Sequence, residues 1–280
     1  MIHLEGRIAV EAALVAGRRR IEALLLAPRQ DGGGAARPGE PAAERLEPLL
    51  ALAAQRGVAV ERVAATELDR LAHGKSHGGV LARCEPLRPL AERELAGLLE
   101  RCSGPPLLLL LEGVDDDRNL GFTLRTAEAL GATALLVKKQ SLDFDETEVA
   151  RSASGALERL PLVHVERDGP LWGELRRRRF ARLACVANAK RTIWEHDLVG
   201  PTLLAIGGEK RGLSAAVRDE CSDFASIPMQ SEAGSLSLSH AAAIALAEAA
   251  RQRRAHARFA AAQAAAAAHL VKMPPPTAPS

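Results

Sequence analysis

Tyrosine is absent from this chain, and aromatic residues make up only 2% of its 280 positions. A surface so poor in rings offers little on which nucleotide bases could stack, which argues against a platform for single-stranded nucleic acid. Lysine is scarce too. Only Lys75, Lys138, Lys139, Lys190, Lys210 and Lys272 occur, so 31 of the 37 basic residues are arginine. Arginine's planar fork suits phosphate recognition, although a GC-rich genome produces the same bias. The four cysteines, Cys84, Cys102, Cys185 and Cys221, form no CxxC pair and read as incidental thiols rather than disulfides or zinc ligands. No apolar run reaches the roughly 20 residues that span a bilayer. The opening MIHLEGRIAV lacks a signal-type apolar core, so a cytoplasmic protein with no membrane partner is expected.

What is present alternates between strand and helix signals. The chain is 47% hydrophobic and 26% charged, with a net charge of +2. It reads as globular and long enough for two domains. Residues 1–85 are expected to form a small α/β domain. Its pieces are a helix over 7–16 stopped by Gly17, a strand over 21–26, a helix ending before Gly57, a strand over 58–63, a helix over 65–72 and a strand over 80–84. Gln30–Pro41 is a loop by composition. The polar turn His73–Gly79 puts Lys75 and His77 where they could touch phosphate, or simply stand in a surface turn.

Residues 86–104, with Pro86 and Pro89, read as an interdomain linker. The second domain, 105–255, opens on Leu107–Leu111, an all-leucine strand of the kind buried in parallel sheets. An acidic loop and a helix over 120–130 follow, with Asn119 at the entrance as a candidate cap. Strands are expected at 134–137, 160–165, 183–187, 203–206 and 224–227, an order that argues for a parallel sheet. Arg176–Arg179 reads as a solvated helix face. From Ser239, a candidate N-cap, an alanine-rich helix runs to about Leu270. Residues 256–280 are expected to be its extension and a disordered tail, and the helix itself to serve packing or a dimer contact.

Three stretches carry the chemistry: Asp117–Gly131, Ile206–Ser214 and Ile227–His240. Each places polar or glycine residues after an apolar strand signal, where open α/β sheets bind ligands. Gly207 and Gly208 let backbone approach a ligand closely. Their spacing fits neither a dinucleotide fingerprint nor a phosphate loop ending in GK[ST]. Ser235, Ser237 and Ser239 alternate ahead of the last helix. Arg125 lies off the Leu120–Leu124–Ala127 face of its own helix, so it can point sideways along the sheet edge.

Taken in order, the three stretches resemble the signature motifs of the SpoU (TrmH-type) RNA ribose methyltransferases of the SPOUT superfamily. The first matches N-x-G-x-x-x-R-[ST]-A at Asn119, Gly121, Arg125, Thr126 and Ala127. The second matches G-x-E-x-x-G-[LI]-S at Gly207, Glu209, Gly212, Leu213 and Ser214. The third matches I-P-M at Ile227-Pro228-Met229, then S-L-x-x-S at Ser235, Leu236 and Ser239. Ser154-Gly155-Ala156 with Leu160-Pro161 resembles a further family segment, and the opening residues resemble the small substrate-binding domain of many members.

The resemblance implies a SPOUT-type parallel sheet with a carboxyl-terminal trefoil knot, preceded by a small α/β substrate-binding domain. It implies S-adenosylmethionine as cofactor, RNA (rRNA or tRNA) as partner, and a homodimer whose site draws on both subunits. The chemistry implied is methyl transfer to a ribose 2′-hydroxyl. Arg125, Asn119 and Glu209 are then the catalytic candidates. Gly207, Gly208, Ile227, Met229, Ser235 and Leu236 would hold the cofactor, while Ser237, Lys75 and His77 would meet RNA. Arginine is a poor base, so Arg125 is expected to grip an RNA phosphate and orient the hydroxyl. The sequence departs from the family pattern at Asp117, where proline is usual, and at Ser237, where asparagine is usual. The second departure leaves an alternative open: a member of the same fold that binds RNA or cofactor without transfer.

Overall fold

The computed structural model describes residues 1–28, 46–73, 77–138, 143–166, 169–230 and 235–271, with side chains up to residue 264. The front unit comprises β1 (Ile2–Glu5), α1 (Arg7–Ala16), β2 (Ile21–Leu26), α2 (Glu47–Gln55), β3 (Ala59–Arg62), α3 (Ala65–Leu71) and β4 (Val80–Cys84). Its four strands stand in the order β1-β4-β2-β3; β4 runs antiparallel to β1 and β2, and β3 parallel to β2. Helix α1 ends where expected because Gly17 takes the left-handed conformation, φ 60°, and returns its N–H to the Ala13 carbonyl. The expected loop over 30–41 lies outside the described residues.

The larger unit continues with β5 (Leu90–Ala91), α4 (Leu95–Glu100), β6 (Leu107–Glu112), α5 (Asp117–Ala129), β7 (Ala134–Lys138), α6 (Glu146–Ala153), α7 (Ala156–Arg159) and β8 (Leu162–Val165). It ends with α8 (Leu171–Arg177), β9 (Ala181–Cys185), β10 (Thr202–Gly207), α9 (Ala215–Glu220), β11 (Asp223–Ala225) and α10 (Leu238–Val271). The seven strands are parallel throughout, in the order β11-β9-β10-β6-β7-β8-β5. Residues expected to be only a linker thus supply an edge strand, β5, which pairs with β8, and a helix whose Leu95 and Leu99 are buried in the sheet's core. Two residues are too few to carry a strand signal of their own; pairing with β8 makes them one.

The all-leucine strand explains the layering. In a strand, successive side chains face opposite sides. Leu107, Leu109 and Leu111 therefore enter one apolar cluster with α5, α6 and α10, while Leu108 and Leu110 enter a second with α4, α8 and α9. All five are fully buried, each worth about 1.5–3 kcal/mol. The chain runs from β6 through β7 to β8 on one side, then crosses to place β10 and β9 on the other. The carboxyl ends of β6 and β10 thus flank the point where strand order reverses, the place where open sheets bind ligands.

The first cluster does not stop at the larger unit. Leu4, Val10, Leu24, Leu26 and Leu49 of the front unit belong to the same contiguous core. Across this seam Arg19, with its side chain fully buried, donates to both Glu158 carboxylate oxygens at 2.6 and 3.2 Å and pairs with Glu146. Burial pushes the Glu158 carboxyl up, against the pull of Arg19. Removing Arg19 would leave the buried Glu158 carboxylate without its cation, at a cost of about 3–5 kcal/mol.

Candidate active site

The site is assembled from loops at the carboxyl edge of the sheet. Glu112, Gly207 and Lys138 share one rung across β10, β6 and β7. Glu112 is the anchor: its carboxylate accepts from the Ser214 N–H at 2.7 Å and the Ser214 hydroxyl at 2.8 Å, and pairs with Lys138 at 3.4 Å. Its carbonyl accepts from the Gly208 N–H at 2.7 Å. Ser214 in turn caps α9, accepting from the Val217 N–H. One residue therefore fixes both ends of the loop 208–214, through its carbonyl at Gly208 and its carboxylate at Ser214.

That loop folds so tightly that its glycines are obligatory. A Cβ on Gly207 would sit 2.1 Å from the Gly212 carbonyl carbon, and one on Gly208 would sit 2.2 Å from the Gly113 carbonyl oxygen. No side chain fits either place. Gly121 has a different task. A Cβ there would stand 1.9 Å from Ser152 Oγ, so it lets α5 and α6 lie against each other.

Between this loop and the segment leading into α10 lies a cavity of about 250 Å³. Gly207, Gly208, Ile227, Met229, Ser235 and Leu236, the six residues singled out for a cofactor, all line it. Sequence reasoning missed the wall formed by Cys185, Val186 and Ala187 at the end of β9. Burial pushes the Cys185 thiol up to about 12, so it stays protonated and serves as wall rather than nucleophile. Glu209 is exposed at the rim and also lines an adjoining polar cleft with Asn119, Asp115 and Asp116.

Asn119 does not cap α5. The helix begins two residues earlier, and Asp116 takes the cap by accepting from the Asn119 N–H at 2.7 Å. Asp115, Asp116 and Asp117 all offered cap chemistry, and only the backbone path selects among them. Asn119 is left free to accept, through Oδ1, from the Ser239 hydroxyl at 3.3 Å, which ties the first motif to the third. Ser239 is likewise not the cap of α10: the helix starts at Leu238, and the Ser237 hydroxyl accepts from the His240 N–H at 3.4 Å.

Three expected residues stand apart. Arg125 is exposed on α5, lines neither cavity, and no described residue hydrogen-bonds or ion-pairs with it. His77 is 6% exposed, its ring held by Asp69 at 2.9 Å and by the Gly79 N–H at 3.1 Å, so it braces the turn rather than facing a ligand. Lys75 lies outside the described residues. Among the described residues no helix is long and apolar enough to cross a membrane, and all four cysteines are free.

Comparison with known proteins accords with this geometry. Residues 106–247 match the model of the SpoU rRNA Methylase family, and residues 3–90 match that for RNA 2′-O ribose methyltransferase substrate binding. The 23S rRNA (guanosine-2′-O-)-methyltransferase RlmB of Pseudomonas aeruginosa is 37% identical over 237 residues, 84% of this chain and 90% of that one. The protein of the same name from Pseudomonas putida is 38% identical over 197 residues, 70% of this chain and 79% of that one. Among solved structures, the SpoU methyltransferase AviRb from Streptomyces viridochromogenes in complex with AdoMet superposes with a TM-score of 0.68 at 27% identity, covering 90% of this chain and 89% of that one. The chain belongs to the SpoU rRNA methylase family, as an S-adenosylmethionine-dependent RNA 2′-O-ribose methyltransferase.

Proposed function

We propose that this protein methylates the 2′-hydroxyl of a guanosine in 23S rRNA, in the cytoplasm, as a homodimer with a knotted catalytic unit. The observation that carries the reading is the convergence of the second and third motif loops on one cavity, with Asn119 of the first lining the cleft beside it, in a chain 37% identical to a relative named for that reaction. The cavity fits S-adenosylmethionine. Ile206, Leu213 and Leu236 offer apolar walls to an adenine, main-chain groups at Gly207 and Gly208 are bare of side chains, and the Glu209 carboxylate stands at the rim where a sulfonium cation would gain from it. When bound, the cofactor supplies an electrophilic methyl group on sulfur.

The protein's own part is orientation. A ribose hydroxyl is a weak nucleophile, and holding it in line with the methyl group removes much of the barrier. Asn119 and Glu209 flank the cleft next to the cavity and shape the place for the sugar. Arg125 grips a neighbouring phosphate through its fork. Six residues along α5 correspond to about 240° of rotation and about 9 Å of rise, so Arg125 faces away from the cleft that Asn119 lines. The outward orientation of Arg125 supports a homodimer in which the Arg125 of a second copy completes the site. The knot is supported by the return of the chain from β11, at the sheet's edge, to α10, which packs on α5 and β10.

The alternative, binding without transfer, has Ser237 as its motive. In the structure its hydroxyl caps α10, a service asparagine also gives, so the exchange keeps the loop anchored. The test is methyl transfer from labelled S-adenosylmethionine to 23S rRNA of a strain lacking the gene, followed by mapping of 2′-O-methyl sites. Label on one guanosine ribose is expected. Tight cofactor binding without label in any RNA would favour the alternative.

A further inference from the structure

Beyond Glu248 the chain changes character. Residues 249–280 hold five basic residues and no acidic one, so residues 1–248 carry 32 cations against 35 carboxylates. The body of an enzyme that acts on a polyanion is thus itself net acidic, and the chain's positive excess sits entirely in this segment. Much of the arginine elsewhere is already engaged: Arg176, Arg177 and Arg178, expected to be a solvated face, pair with Glu220, Glu174 and Glu100.

The segment is no appendage. It continues α10, one helix of 34 residues, about 51 Å long. Its first turns carry Leu238 and Ala241 into the cofactor cavity. Ala242, Ala245, Leu246 and Ala249 then pack on the core. Arg253 fastens the helix to the body by donating to the carbonyls of Leu198, Gly200 and Pro106. At 100° per residue, Arg251, Arg254 and Arg258 fall within about 60° of arc, on the side of the helix nearly opposite that packed line. Arg251 shares its charge with Glu248. Arg254 and Arg258 are exposed, and no described residue hydrogen-bonds or ion-pairs with either.

We propose that the outward stripe Arg251–Arg254–Arg258 of α10 is a docking rail for the phosphodiester backbone of duplex RNA, about 15–26 Å along the helix from Ala241 at the cofactor cavity. This rests on RNA being the substrate and adds where a second, sequence-blind grip lies. The occupant follows from charge: a basic stripe, drawn from a segment without acidic residues on a body with net negative charge, complements phosphate. It is a duplex because the stripe presents fixed cations and the chain is nearly without rings for stacking unpaired bases.

The test compares the full-length protein with the double variant Arg254→Gln/Arg258→Gln, using a fluorescein-labelled 20-base-pair RNA duplex from 50 to 300 mM KCl. Losing two phosphate contacts is expected to flatten the slope of log affinity against log salt by about 1.4–1.8 and to weaken binding several-fold at 100 mM. S-adenosylmethionine binding by calorimetry is expected to stay unchanged. An unchanged slope with normal cofactor binding overturns the rail while leaving the methyltransferase reading intact. An unchanged slope together with dissociation of a dimer, seen by sedimentation, overturns it in favour of a contact between two copies. Wild-type protein that binds the duplex but no cofactor would sink the functional reading instead.

Discussion

The separation of Arg125 from the cavity makes a quantitative prediction about subunit sharing. Arg125 faces about 120° away from Asn119 around α5, and it lines neither the cavity expected to hold the cofactor nor the cleft beside it. If it serves the partner's site, Arg125→Ala removes a charged phosphate contact worth about 2–3 kcal/mol, slowing the homodimer roughly 30- to 150-fold. Gly207→Ala acts separately. Its methyl group would lie 2.1 Å from the Gly212 carbonyl carbon, so the loop must open and cofactor binding is lost. Now let the two variants be joined in a heterodimer, co-expressed with different affinity tags and purified through both. One of its two sites has the intact cofactor loop of the Arg125→Ala subunit and the Arg125 of the Gly207→Ala subunit. That dimer should recover about half the wild-type rate, at least tenfold above either homodimer. A heterodimer as slow as its parents would show that Arg125 acts within its own subunit, and the shared-site reasoning would fail.

Two further outcomes follow from the packing. Gly121→Ala should destabilise the protein by about 1–3 kcal/mol, because the added methyl group meets Ser152 Oγ and the Val149 carbonyl at 1.9 and 2.6 Å; an unchanged urea midpoint would contradict the close α5–α6 contact. His73 bridges the units, with Nδ1 3.0 Å from Glu5 and Nε2 3.3 Å from Asp145, and the bond to Glu5 holds its pKa above the usual histidine value. A raised folded value means the stabilisation is complete below about pH 6.5, the unfolded value, and fades as pH rises through the raised folded one. Since the side chain is 46% exposed, the effect is a few tenths of a kcal/mol. The melting temperature of wild type should therefore fall more between pH 6 and 9 than that of His73→Gln, and parallel curves would refute the bridge.

How much of this was legible depended on the kind of signal. The five leucines of β6 announced a central parallel strand, since only burial on both faces tolerates such a run. The stop at Gly17 was legible because left-handed backbone favours glycine. Strand β1 was not foreseen: four residues, Ile2–Glu5, gain strand identity only by pairing with β4. The six residues expected to hold a cofactor were picked out with the family motifs and all line one cavity, and the glycine collisions give the physical reason for two of them. Cys185, Val186 and Ala187 carry no motif, though their place at the end of an expected strand was a usable signal. Glu112 was hidden in an acidic loop; that it ends an apolar strand, on the same rung as Gly207, is apparent only from the register.

The continuous core beneath both sheets has a consequence for how a target is chosen. A recognition module on a slack tether samples many distances and lets chemistry occur wherever a ribose wanders into reach. Here the unit matched to substrate binding is set into the catalytic unit by shared leucines and a buried arginine. If that unit holds the substrate, the span between the RNA feature it grips and the methylated sugar is a length cut into the protein. An enzyme so built works as a gauge. It is expected to accept the RNA fold that bridges that span and to pass over an identical sequence folded to another length.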